Sequence, residues 1–288
     1  MNGVGERPDV EVSVIIPALE ATPHALNVVR RLALQEQAFT FEVLLVLNHA
    51  PREIEADLPP RARILFCEIP GSYAARNAGL AEARGRVLAF TDSDVTPHAN
   101  WLSEGYEACA TTSFNMLVAG AITMYHEKKT AAAIYDGGLY LNQERYAAHG
   151  TAATANLWVP RAVFEKAGLF REDFHAAGDG EFCLRAKQYG VNLIYSESAI
   201  VFHPTRWRLR DLLLKERRLA GGRRNLVRTV PGFNPHSEVT ILLDQARRIR
   251  ESMPFIRSLP ILAVAVVVFA ARSCERILIG LGKPPERL

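Results

Sequence analysis

A chain of 288 residues, 49% hydrophobic and 23% charged, carries enough apolar material to bury a sizeable core and excludes a disordered or fibrous protein. The net charge of +3 conceals a split: 17 basic against 7 acidic residues from Arg206 onward, and 17 basic against 24 acidic before it. An acidic soluble domain with a basic tail is expected, the tail meeting phosphate or an anionic membrane surface, with no nucleic acid as partner. The four cysteines, Cys67, Cys109, Cys183 and Cys274, are scattered without a C-x-x-C pair, which favours reduced thiols in a cytosolic setting. The N-terminal residues are polar and lack the apolar core of a secretion signal.

Glu11 to Pro17 reads as a first strand, stopped by Pro17. Ala25 to Gln37 reads as a helix with Leu26, Val29, Leu32 and Ala33 on one face. Phe41 to Leu47 is a second strand, apolar almost throughout, as in a parallel sheet covered on both faces, and Asn48 follows its C-terminal end. Arg63 to Phe66 is a short third strand. Gly71 opens a helix that runs to Ala83, with Gly85 as its C-cap. Val87 to Phe90 is a buried strand. Strands alternating with helices over the first ~95 residues predict a Rossmann-like α/β domain. Beyond Trp101 the pattern loosens. Leu117 to Met124 reads as a strand. Thr130 to Thr154, rich in Ala, Gly and Tyr, shows no period and is expected to be a mobile or substrate-covering segment. Asn156 to Pro160 is a short strand or turn, and helices follow at Arg161 to Lys166 and from Phe182 to a cap at Gly190. Ile194 to His203 closes the domain as a strand.

The chemistry concentrates where the strand from Val87 ends, in Thr91-Asp92-Ser93-Asp94. Carboxylates two apart point the same way on an extended chain, and a turn can also bring them to one point. Two hard oxygen ligands at the C-terminal edge of a sheet suit Mg²⁺ or Mn²⁺ beside a diphosphate. The alternative is an ordinary turn, since Asp and Ser are turn residues.

Five stretches in this order resemble the family 2 glycosyltransferases of the GT-A fold: Val12 to Pro17, Ala75-Arg76-Asn77-Ala78-Gly79, Phe90 to Asp94, Asn156 to Phe170, and Gly178-Asp179-Gly180-Glu181-Phe182-Cys183-Leu184-Arg185. The resemblance implies a mostly parallel central sheet binding a nucleoside diphosphate sugar at its C-terminal edge. Pro17, Ala18 and Glu20 after the first strand, and Asn48 after the second, would border the base and ribose. Arg76, Asn77 and Ser93 would lie near the nucleotide. Asp92 would face ribose and metal, and Asp94 would bind the metal directly. Asp179 matches the family's catalytic base, and Asn156, Trp158 and Gly178 would lie by the acceptor. The chain departs from the pattern at Glu20, where Asn or Asp is usual, at Asn48, where Asp is common, and at Gly178, where an acidic residue often stands.

Each residue also has a plainer reading. Asp179 could be only a helix N-cap, Arg76 a solvated helix residue, and Trp158 a core side chain. His203, before Pro204, is either a third metal ligand or a polar strand end.

In the tail, Arg206 to Arg228 mixes six apolar anchors with nine basic residues and reads as a basic amphipathic helix, broken at Pro231-Gly232. Val239 to Glu251 is a further helix. Leu259 to Ala271 is apolar without a charge, and as a helix covers about 20 Å, less than the ~30 Å of a bilayer core. It reads as an in-plane or re-entrant helix, a short span with snorkelling arginines, or a buried helix.

The sequence therefore predicts a GT-A catalytic domain over residues 1–204 and a membrane-associated tail over residues 205–288. The expected activity is inverting glycosyl transfer from a nucleotide sugar to a glycan or lipid-linked acceptor, with a divalent cation, at the cytoplasmic face of the cell membrane, or in the cytoplasm if the tail is a buried helix. Two rivals stand beside it. A haloacid-dehalogenase-like phosphohydrolase would use Asp92 as nucleophile in Asp92-Ser93-Asp94-Val95-Thr96, although that motif normally sits on a first strand. A degenerate relative would bind the nucleotide sugar without turnover.

Overall fold

The computed structural model describes residues 10–50, 53–54, 57–233, 237–252 and 254–284; the polar N-terminal residues 1–9 lie outside them. Among the described residues, eight strands form one sheet in the order β3-β2-β1-β4-β7-β6-β8-β5. Four strands, β1 (Val12–Ala18), β2 (Phe41–Leu47), β3 (Ala62–Phe66) and β4 (Val87–Thr91), run parallel. They alternate with α1 (Pro23–Ala33) and α2 (Ser72–Glu82). The second half is mixed: β7 (Asn156–Pro160) is antiparallel to β4 and to β6 (Leu117–Tyr125), while β6 and β8 (Leu193–Pro204) are parallel. The two-residue β5 (Thr96–Pro97) pairs antiparallel with the end of β8. Helices α3 (Trp101–Thr111), α6 (Arg161–Ala167) and α7 (Gly178–Gln188) complete the cover.

The apolar strands are buried on both faces, and the alternation of side chains divides them between two cores. Ile15, Leu44, Val46, Leu88 and Phe90 pack with α2, α6 and α7. Val14, Ile16, Val43, Leu45 and Ala89 point to the opposite face, against α1 and α3. Pro17 does not stop β1. Pairing with β4 has already ended at Ile15, so a residue without an N–H is tolerated and the strand runs on to Ala18.

Three expectations change. The first helix starts two residues earlier and ends at Ala33, because Thr22 accepts from the Ala25 N–H at 3.2 Å and Pro23 occupies the first turn. Gly85 is not a helix cap; α2 ends at Glu82 with Ala83 extended. Gly85 is instead needed for close approach, since a Cβ there would lie 2.3 Å from the Ser13 nitrogen. The segment from Thr130 to Thr154 contains α4 (Ala131–Leu139), capped by Thr130, and α5 (Gln143–Ala148), capped by Asn142. Helices of two turns are too short to show a period, and tertiary packing sustains them.

The tail forms α8 (Leu209–Thr229), α9 (Glu238–Ser252) and α10 (Phe255–Gly280), joined to α4 by a third core that includes Tyr135, Leu212, Ile249, Ile261 and Val268. By length and composition α10 could cross a membrane. Of its three arginines, Arg257 and Arg276 are exposed, but Arg272 does not snorkel. Arg272 is fully buried and paired with Glu216 of α8, at 3.2 Å, and with Glu238. Glu275 likewise pairs with Arg217 and Lys283. A few of the tail's cations are thus paired with carboxylates of the tail itself.

Candidate active site

Predicted residues from the end of β4, from β8, from α2 and from α7 (Gly178–Gln188) come together at one edge of the sheet. β4 ends at Thr91 and the chain turns, so convergence of Asp92 and Asp94 comes from the turn rather than from extended backbone. The register of β5 on β8, Thr96 opposite Phe202, carries His203 to the same place. Ligand atoms of Asp92, Asp94 and His203 lie within 4.8 Å of one another, and His203 Nε2 is 3.8 Å from Asp94 Oδ1. His203 Nδ1 donates to the Pro204 carbonyl at 2.8 Å, which leaves Nε2 with its lone pair toward the carboxylates. Two carboxylates and one oriented imidazole are a donor set that fits a divalent cation.

Arg76, on α2 and nearly fully buried, donates from Nη2 to Asp92 Oδ1 at 2.7 Å. It is therefore not a solvated helix residue. Its guanidinium also lies over the Tyr73 ring at 5.6 Å. Tyr73 in turn reaches Asp179: its hydroxyl donates to Asp179 Oδ1 at 3.2 Å and accepts from the Asp179 N–H at 3.1 Å. One helical turn of α2 thus links the metal-type cluster to Asp179. The three-residue spacing of Tyr73 and Arg76, which puts both on one helix face, was the overlooked signal for Tyr73.

Asp179 sits inside the first turn of α7, where Ala177 (φ 61°) holds the N-cap position. Its carboxylate accepts further from the N–H groups of Gly180 (2.9 Å) and Thr154 (3.3 Å). Burial pushes its pKa up, although Arg76 and these donors pull the other way. Gly178 has a steric reason: an added Cβ would be 2.7 Å from the Tyr73 ring. Beside Asp179 opens a cavity of about 490 Å³, reaching to Tyr140, Arg206, Lys215 and Arg218.

Several expected binding residues are committed elsewhere. Asn156 and Trp158 are fully buried and present no surface to an acceptor. Asn156 accepts from the indole N–H groups of Trp101 and Trp158 and donates to the carbonyls of Ala121 and Ala199. Trp158 packs on Trp101, ring centroids 4.8 Å apart. Asn77 is turned to the loop before α7, bonding both the N–H and carbonyl of Phe170 and the carboxylate of Glu172. Asn48 donates to the carbonyls of Cys67 (3.0 Å) and Ile69 (2.6 Å) and accepts from the Gly71 N–H (2.6 Å). An Asp would lack the donor those carbonyls need, so the departure at Asn48 has a structural cause. Pro17 and Ala18 are buried at the end of β1, while Glu20 is exposed and Ser93 half-buried.

The model of the family described as Glycosyl transferase family 2 matches residues 13–173, more than half the chain. The chain is a family 2 glycosyltransferase. This transferase is 30% identical over 220 residues to Glycosyltransferase AglE of Haloferax volcanii, covering 73% of this chain and 72% of that one. It is 32% identical over 156 residues to the pre-mycofactocin glycosyltransferase of Mycobacterium tuberculosis, covering 51% of this chain and 33% of that longer one. Among solved structures, a mannosyltransferase from Pyrobaculum calidifontis in complex with GDP-Man and Mn²⁺ superposes with a TM-score of 0.58 at 18% identity, covering 95% of this chain and 79% of that one. The transferase therefore has the GT-A-like fold expected, and the phosphohydrolase alternative falls: its nucleophile would stand on a first strand, whereas Asp92 follows the fourth.

Proposed function

We propose that the transferase moves a sugar from a nucleoside diphosphate to an acceptor hydroxyl, with inversion, using Asp179 as general base. The observation that carries this reading is the continuous link from Asp92 through Arg76 and Tyr73 to Asp179, which joins a cation-binding cluster to a desolvated carboxylate beside a cavity. A divalent cation held by Asp92, Asp94 and His203 would supply positive charge to the leaving diphosphate. Arg76 orients Asp92 through the 2.7 Å charge-assisted hydrogen bond to its Oδ1. Asp179 takes the proton from the acceptor hydroxyl. That oxygen forms a bond to the anomeric carbon from the face opposite the diphosphate, as the carbon–oxygen bond to the diphosphate breaks and its electron pair leaves with it.

In this reading residues 1–204 form the catalytic part and residues 205–288 the accessory tail. The acceptor is a glycan or a lipid-linked molecule met at the cytoplasmic face of the cell membrane. The apolar outer side of α10, with Phe255, Ile256, Val266 and Ile277 exposed, supports a helix lying in the membrane surface. Its other side is occupied by ion pairs to α8, which argues against a helix surrounded by lipid. The test is a panel of nucleotide sugars with and without Mn²⁺, on the parent and on Asp94→Ala. Metal-dependent binding and turnover in the parent, both lost in the variant, are expected. Equal affinity in the two proteins would refute the cation assignment.

A further inference from the structure

The cavity beside Asp179 has a wall that the donor chemistry leaves unexplained. Lys215, Arg218 and Arg223 line it from α8, and Arg206 lines it from the end of β8. Their charge is only partly neutralised. Lys215 Nζ donates to Asp136 Oδ1 at 3.0 Å, but that fully buried carboxylate also accepts from the Arg206 backbone N–H at 2.8 Å. Arg206 Nη1 is 3.6 Å from Asp136, and Arg223 Nη1 is 3.9 Å from Glu238. Both nitrogens are buried without a hydrogen-bond partner. Among the described residues, Arg218 forms no ion pair with a carboxylate, and burial together with neighbouring Arg206 pushes its pKa down. Burial brings Lys215 down to about 8. Cations gathered in a half-closed cavity repel one another and lose hydration, and an entering anion relieves both penalties.

The donor diphosphate is not that anion. Asp92, Asp94 and His203, which would hold the cation on the donor diphosphate, do not line this cavity, whereas Tyr73 and Asp179 do. The anion therefore belongs to the molecule that meets Asp179. Several guanidinium and ammonium groups around one space match the multiple oxygens of a phosphate ester. Leu141, Leu219, Leu226 and Phe233 give the same cavity an apolar side.

We propose that the acceptor carries a phosphate ester near its reacting hydroxyl, and that Lys215, Arg218, Arg223 and Arg206 hold this phosphate beside Asp179. The proposal rests on the transferase reading, with Asp179 on the acceptor side. The phosphate would come from a lipid-linked acceptor or from a soluble sugar phosphate, two sources with the same recognition chemistry.

The test is titration calorimetry on the full chain in EDTA without nucleotide, so that the cation cluster is silent. The probes are farnesyl monophosphate against farnesol, and glucose 1-phosphate against methyl glucoside. At least one phosphate ester should bind in preference to its neutral partner, and more weakly as salt rises. Arg218→Glu should weaken that binding about tenfold or more at an unchanged melting temperature; Arg218→Gln serves if the charge reversal does not fold. Binding of farnesyl monophosphate alone identifies a lipid phosphate, and binding of glucose 1-phosphate a soluble one. Absence of binding by both esters, equal binding of esters and neutral partners, or indifference to the Arg218 variants overturns the proposal. Mn²⁺-dependent nucleotide-sugar binding, measured on the same preparation, separates the failures: its loss would sink the donor reading alone.

Discussion

Replacing Asp179 by Asn separates a base from a structural residue, and the structure sets the size of each effect. The carboxylate accepts from Tyr73 and Gly180 at Oδ1 and from Thr154 at Oδ2. An Asn with its oxygen at the Oδ1 position keeps the first two bonds and sets its amide against the Thr154 N–H. The lost bond is long, 3.3 Å, so the cost is about 1 kcal/mol. Against this, burial penalises the charged form of Asp179, a penalty the neutral amide lacks. The melting temperature should therefore move by no more than about 2–4 °C. Transfer should behave differently. Loss of general-base help costs about 10²–10⁴ in rate, or about 3–5 kcal/mol of barrier. Product formation at saturating donor, beside a melting curve, is the assay. Transfer within a few-fold of the parent would show that Asp179 is not the base. The raised pKa adds a pH signature. The base works only when ionised, so the parent's rate should fall as pH drops through a value raised above that of an ordinary aspartate. A carboxyl with a raised folded pKa favours folding below its unfolded pKa, and that contribution is lost as pH rises through the folded value. Asp179→Asn should thus look relatively more stable at neutral than at acid pH.

Further outcomes are expected elsewhere in the molecule. Asn48→Asp removes the donor to two carbonyls and sets a charge against them, so it should destabilise the loop from Cys67 to Gly71 by about 1–3 kcal/mol, read from denaturant melts. Trp158→Ala should cost about 3–5 kcal/mol of stability through a core cavity; an unchanged melting curve with a raised acceptor KM would restore Trp158 to the acceptor site. Val266→Asp with Ile277→Asp, both at exposed positions on α10, should leave the fold intact and release the protein from anionic vesicles in a flotation assay; equal flotation of parent and variant would remove α10 from the membrane contact.

The parallel half of the fold was legible because its strands are buried on both faces and read as unbroken apolar runs. The residues Asp92, Asp94, His203, Arg76 and Asp179 were legible as types suited to cation, phosphate and proton chemistry at the ends of such strands and helices. Only the tertiary structure decided which of them meet. A hydrogen-bonding side chain reads the same whether it faces a ligand or its own backbone. Asn48, Asn77 and Asn156 were therefore indistinguishable from binding residues until their partners were seen to lie within the chain. The same holds for charge. The excess of basic residues after Arg206 is a property of composition, but whether each cation faces lipid, an internal carboxylate or a cavity depends on which side of α8 and α10 it occupies. Packing put Arg272 between Glu216 and Glu238, and set Lys215 and Arg218 in the wall of the cavity that Asp179 also lines, with the apolar stripes of α8 and α10 closed on α4.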